Sequence, residues 1–167
     1  MELLHVTHES IPIFIDNDSE VLILGSLPSV KSREDGFYYA HKRNRFFLAL
    51  SGVFKEVESL TIEERKHFLK AHHIALYDVV YECDTHASSD ASITNVKVID
   101  IKGILKKYPN IKKLAINGGK AKQLFDKYLL KDIDTSIVKI YYLPSTSPAN
   151  ARMAINELIE QYSNIFA

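Results

Sequence analysis

Apolar residues along this chain fall into short continuous runs separated by longer stretches in which they recur every three or four positions. The runs "VLILGS" (21–26), "IALYDVV" (74–80), "KKLAIN" (112–117) and "IVKIYYLPS" (137–145) predict four strands, and their continuous apolar character suits strands covered on both faces. Between them, "RNRFFLALSGVF" predicts the start of a helix, and "IEERKHFLKAHH" (62–73) sets Ile62, Phe68 and Leu69 on one side with charges opposite. "NVKVIDIKGILKKYP" predicts a helix stopped by Pro109, and "GKAKQLFDKYLL" another after Gly118-Gly119. "PANARMAINELIEQYSNIF" predicts the last, with Pro148 near its start. The order βαβαβαβα implies an α/β fold, a four-stranded parallel sheet with helices on both faces, as one domain over residues 1–167. Ligand crevices in such sheets lie beyond the carboxyl ends of the strands. The polar clusters fall there, in "GSLPS", "DVVYECDTHASSDASI", "NGGKA" and "LPSTSPAN".

Composition narrows the picture. Of the residues, 46% are apolar, ample for a single core. No apolar run reaches the ~20 residues of a membrane span, and "MELLHVTHES" lacks the features of a signal peptide, so a cytoplasmic protein is expected. Cys83 is the only cysteine, which leaves no internal disulfide and favours a buried thiol. Lys plus Arg equals Asp plus Glu at 21 each, so any nucleic-acid contact must come from a local patch. One such patch holds Lys31, Arg33, Lys42, Arg43 and Arg45 against Glu34 and Asp35. The later lysines, among them Lys106, Lys107, Lys112, Lys113, Lys120 and Lys122, read more simply as a solvated face than as phosphate contacts.

Common catalytic signatures are missing. "NGGKA" lacks the spacing of a phosphate-binding loop, "GSLPS" is not a nucleophile elbow because Leu27 stands where the serine belongs, and the seven histidines show no zinc-type spacing. No metal and no cofactor are expected.

What remains is the crowded loop "GSLPSVKSREDGFYYAHKRNRFF". It resembles the first-loop motif of the uracil-DNA glycosylase superfamily, including the mismatch-specific uracil/thymine glycosylases, and is more similar to the hypoxanthine-DNA (deoxyinosine) glycosylase branch. "IALYDVVYECDTHASSDASI", "AINGGKA" and "YLPSTSPAN" resemble that branch's later motifs in the same order, the last almost letter for letter. The resemblance implies a three-layer α/β/α sandwich with strand order 2-1-3-4. It also implies a hydrolase that removes deaminated bases, hypoxanthine first and uracil or xanthine after, from double- or single-stranded DNA. A uracil- or mismatch-directed glycosylase, or a catalytically silent nucleic-acid-binding module, are the alternatives. A monomer without membrane contact is expected. The chain departs from the wider superfamily at Leu27, where many members carry a water-activating Asp or Asn, and at Leu143, where many carry His. Phe47 and Tyr77 replace tryptophans.

These departures shift catalytic weight to Asn44, whose amide can serve water and oxyanion alike, although Asn is also a good helix N-cap. Asp78 is the next catalytic candidate and suits the N–H edge of hypoxanthine or uracil, or equally an N-cap or turn. Backbone groups of Gly25, Ser26 and Leu27 suit a base carbonyl, and Tyr39 either stacks on a flipped base or caps the core. Lys31, Ser32, Arg43, Ser145, Thr146, Ser147, Asn150 and Arg152 are candidate DNA contacts, with Asn150 or Arg152 poised to enter the duplex where the base has left. Ser147 and Pro148 also read as the capped start of the last helix. Asn117 reads as a bridge between loops, and His41 as a shaper of the first one. No lysine stands in the motifs as a Schiff-base nucleophile, so a monofunctional enzyme is expected.

Overall fold

The computed structural model describes residues 3–86 and 93–167. The motif "DVVYECDTHASSDASI" therefore lies partly outside the described residues, from 87 to 92. The central sheet contains β2 (Val21–Gly25), β3 (Ile74–Asp78), β6 (Lys113–Asn117) and β7 (Lys139–Leu143), in the order β3-β2-β6-β7. All three pairings are parallel, and the order is the anticipated 2-1-3-4. Strand β2 is buried along its whole length, as an inner strand covered on both faces must be.

Alternation along the strands divides the core. Val21, Ile23, Ile74, Leu76 and Ala115 join Phe46, Phe47 and Leu50 of α2 (Phe46–Phe54), Phe68 and Leu69 of α3 (Ile62–Ala71), and Leu158 and Tyr162 of α6 (Ile155–Ser163). Leu22, Leu24, Ala75, Leu114 and Ile116 face the other way. They meet Ile101 of α4 (Ile101–Lys107) and Ala121, Leu124 and Phe125 of α5 (Gly119–Tyr128). Capping explains the starts of several helices. Thr61 and Glu64 form a reciprocal capping box on α3, and Ser29 caps the short α1 (Val30–Asp35), which Gly36 ends at a positive φ of 73°.

Three expectations are corrected. First, a second sheet exists, in which β1 (Leu3–Thr7), β4 (Val80–His86) and β5 (Thr94–Val98) pair antiparallel in the order β1-β4-β5. Residues 94–98 form this strand rather than a helix, because Val96 and Val98 alternate with exposed Asn95 and Lys97 at a period of two. The helix starts only at Ile101, where Asp100 caps it by accepting from the Gly103 amide. Second, the run 74–80 serves two sheets. It leaves the parallel sheet after Asp78, and Val79 joins them, its amide donating to Gly25 while its carbonyl accepts from Ile99. Third, Ser147 caps a separate short turn, Pro148–Asn150, and the last helix starts at Ile155. Cys83 is buried, as expected. Among the described residues no helix is long and apolar enough to cross a membrane.

Candidate active site

A cavity of about 550 Å³ opens at the carboxyl ends of the four parallel strands. Gly25 to Ser29 after β2, Asp78 at the end of β3, Asn117 to Ala121 entering α5, and Ser145 to Ala149 after β7 all line it, and Tyr39, His41 and Asn44 close it from the first loop.

Gly25 has a steric reason to be glycine. A Cβ there would lie 2.5 Å from Asp78 Oδ1, so only a bare backbone lets this carboxylate sit over the end of β2. The Gly25 and Ser26 carbonyls accept from the amides of Val79 at 2.8 Å and Val80 at 3.0 Å, tying "GSLPS" to the chain beyond β3. Leu27 lines the cavity while packing partly on the core.

Asp78 is only 5% exposed, and its Oδ2 lies 2.9 Å from Nε2 of His8, whose side chain is wholly buried. Nδ1 of the same ring lies 2.8 Å from the Ile11 carbonyl. A carbonyl only accepts, so Nδ1 carries a proton. Burial pushes the His8 pKa down, but the hydrogen bond and charge of Asp78, with help from Ile11, outweigh it and leave the value raised. His8 carries no motif and lies seventy residues from its partner. No periodicity or spacing signals the contact, and sequence reasoning missed it.

Tyr39 takes a positive φ of 54° and stacks on Phe46 with ring centroids 3.9 Å apart and planes 15° apart. Its hydroxyl is buried and makes no hydrogen bond of normal geometry within the described residues. Burial, then the Asp78 charge, push its pKa far up, against a smaller pull from the Asn117 amide. Asn44 supports the start of α2 from one residue before its N-cap and also faces the cavity. Its Oδ1 accepts from the Phe46 amide at 3.0 Å, supporting the start of α2, whose N-cap residue Arg45 gives no side-chain cap. Because a backbone N–H is the donor, the oxygen must be the bonded end, and Nδ2 is the end left over. Among the described residues Nδ2 has no acceptor, and Asn44 lines the cavity.

The loop after β7 is largely occupied with holding itself. Asn117 Nδ2 donates to Thr146 Oγ1 and Asn117 Oδ1 accepts from the Thr146 amide, both at 3.2 Å, so Asn117 is the expected bridge between loops. Arg45 reaches across to the carbonyls of Met153 and Asn150, at 2.6 and 2.9 Å. Three candidate DNA contacts have polar groups engaged within the fold. Thr146 is fully buried with its groups spent on Asn117. The Asn150 amide turns back to the Ser145 carbonyl at 2.9 Å. Ser32 is buried, accepting from Ser29 and the Ala40 amide while it shapes the first loop. Ser145 and Ser147 line the cavity, though each hydroxyl already accepts from a backbone amide two residues on. Lys31, Arg43 and Arg152 lie outside the cavity lining; Arg43 and Arg152 are exposed, and Lys31 pairs with Asp35 at 3.2 Å. Lys120, grouped by sequence with solvated lysines, lines the cavity. Its place inside "NGGKA" sets a lysine amine at the cavity wall. Among the described residues no group of three or more His, Cys, Asp or Glu side chains could hold a metal ion.

Comparisons with known proteins fit this geometry. A protein of Methanosarcina acetivorans described as a hypoxanthine DNA glycosylase is 30% identical over 146 residues, 87% of this chain and 89% of that one. Its counterpart in Methanosarcina barkeri is 30% identical over 145 residues, covering 86% and 89%. The solution NMR structure of a candidate uracil DNA glycosylase from M. acetivorans superposes with a TM-score of 0.78 at 28% identity, over 94% of this chain and 97% of that one. The family model of the Uracil DNA glycosylase superfamily matches residues 12–164, and the chain belongs to that superfamily.

Proposed function

We propose that this chain is a monofunctional DNA glycosylase that hydrolyses the bond between deoxyribose and a deaminated base, hypoxanthine before uracil or xanthine, in double- or single-stranded DNA. The observation that carries the reading is the Asp78 carboxylate, buried and set over Gly25 at the cavity wall. Deamination turns the ring nitrogen of adenine or cytosine from an acceptor into an N–H donor beside a carbonyl. A carboxylate accepts from that N–H and repels the lone pair of the parent base. The relatives described as hypoxanthine DNA glycosylases support the order of preference.

Cleavage builds positive character on the sugar and negative character on the departing base, so the site must hold the base, orient water and steady an anion. Tyr39, backed by Phe46, offers a ring for the flipped base to lie on. The Nδ2 donor of Asn44 suits a water oxygen or the developing anion. Lys120 and the start of α5, whose N-cap Gly118 has no side chain, add positive potential at the same wall. Lys120 reaches Gln123 at 3.3 Å and acts as an electrostatic group rather than a nucleophile. Exposed Arg43 and Arg152 supply phosphate contacts beyond the rim.

The test is release of free base from matched duplexes carrying deoxyinosine, deoxyuridine or deoxyxanthosine. Free hypoxanthine and an intact abasic site are expected. Release of uracil alone would favour the mismatch-type reading, and tight binding without release, for which Leu27 and Leu143 speak, would favour a silent binding module. A borohydride-trapped adduct would assign Lys120 a covalent role.

A further inference from the structure

His8 lies behind the cavity wall and is hydrogen-bonded to the site through Asp78. Its ring is fixed at both ends, by the Ile11 carbonyl at 2.8 Å and by Asp78 Oδ2 at 2.9 Å. With Nδ1–H given to the carbonyl, two neutral-ring arrangements and one charged one remain to be weighed. A neutral ring would point the Nε2 lone pair at a carboxylate, a repulsive contact, unless Asp78 itself held the proton. A doubly protonated ring would donate to a carboxylate, a charge-assisted bond in a buried site. The surroundings favour the last. Among the described residues the groups facing the ring are Asp78 and Tyr77 of β3, Tyr81 of β4 and Tyr38 of the first loop, with ring centroids 4.8 Å away for Tyr77, 6.2 Å for Tyr81 and 6.1 Å for Tyr38. Asp78 is the one carboxylate among them, and the rest present aromatic rings that tolerate a cation.

We infer that His8 is a positioning residue whose imidazolium holds Asp78 in its carboxylate form, so that the cavity accepts bases with a ring N–H and refuses adenine and cytosine. The inference rests on the glycosylase reading for its substrate and on the His8 geometry for its mechanism. If Asp78 held the proton, a buried carboxyl would offer a donor and reward the ring lone pair of an undamaged base. The choice of proton position is thus a choice of substrate. The pair is also neutral as a whole, so it places no net negative charge beside a base that leaves as an anion. The raised pKa of His8 agrees with a ring that keeps its second proton.

Two measurements test this on the full-length protein. NMR of the His8 ring nitrogens and the Asp78 carboxyl carbon, without DNA, should show both nitrogens protonated and the carboxylate ionised at neutral pH, with His8 losing its proton only above its ordinary range. A singly protonated ring beside a protonated Asp78 would overturn the inference. Single-turnover release from deoxyinosine and deoxyadenosine duplexes should then separate two variants. His8→Gln keeps a donor to Asp78 and should keep the refusal of adenine, while losing the pH dependence that titration of the ring confers. His8→Phe, with no donor, should lose about tenfold or more in hypoxanthine release while binding abasic-site duplex as the native protein does. A folded His8→Phe protein that matches the native rate and pH profile would overturn the proposal. If that variant does not fold, the ring protonation and the pH profile of His8→Gln decide. A native protein that releases no deaminated base would sink the glycosylase reading alone, leaving the NMR result to judge the pair.

Discussion

Two loops at the same rim carry similar residues and do opposite things with them. The segment after β7 is rich in hydroxyl and amide groups, yet Thr146, Asn150 and the Arg45 that reaches it are all spent on internal hydrogen bonds. The segment after β2 and its neighbour Asp78 leave groups uncommitted within the described residues, namely the Tyr39 hydroxyl and Asn44 Nδ2, while Asp78 turns one oxygen to His8 and the other toward Gly25. Composition alone cannot separate a loop that supports itself from one that faces a ligand. The difference lies in which polar atoms already have partners.

Substitutions on either side sharpen that contrast. The largest effect is expected at Asn44. Asn44→Ala should lower single-turnover base release about a hundredfold or more, in line with the loss of one preorganised donor, while damaged-DNA binding persists. The lost bond to the Phe46 amide should add about 1 kcal/mol of instability. On the self-supporting side, Asn117→Ala strands the buried Thr146 hydroxyl and amide and should cost about 1–3 kcal/mol in denaturant unfolding, with any loss of activity following the loosened loop. Tyr39→Ala should weaken capture of a flipped base by about 1–3 kcal/mol in binding measurements, and Tyr39→Phe should retain it because among the described residues the hydroxyl has no well-formed hydrogen bond to lose. Equal damage from both would move the role from ring to hydroxyl. Smaller still, Arg152→Ala should lower the slope of log affinity against log salt by about 1, whereas Lys31→Ala, already paired with Asp35, should change it less.

His8 adds a signature in stability. Its pKa is raised above the ordinary 6.5 in the folded state, so the proton it holds stabilises the fold fully below that value. The contribution is lost as pH rises through the raised value. Melting temperatures of the native protein and His8→Gln should therefore differ most on the acid side of 6.5 and converge above the folded-state value. A gap that widens with rising pH would contradict the assigned proton.

The four parallel strands could be read from the sequence because apolar runs suit a covered sheet, most fully in β2, β3 and β6, whereas their order came from the family resemblance. The antiparallel sheet was hidden. Its strands alternate, one of them stands only two residues, Ile99 and Asp100, before a true helix, and another continues from β3 across a single residue, Val79. In the site, residues inside motifs were findable, and "GSLPS", Asp78, Asn117 and Asn44 do meet at one cavity. Burial of Ser32 and Thr146, the inward turn of Asn150 and the partnership of His8 with Asp78 were not, since each depends on contacts that only the folded chain creates.

The most direct test of the account is Asn44→Asp. Aspartate keeps an oxygen for the Phe46 amide, so the start of α2 and the melting temperature should be preserved, but it removes the Nδ2 donor and places a carboxylate where an anion develops. Single-turnover release of hypoxanthine should then fall at least as far as in Asn44→Ala, with the fold intact. Native-like release by Asn44→Asp would show that the side chain serves only to cap the helix, and the chemistry would have to be sought elsewhere in the cavity.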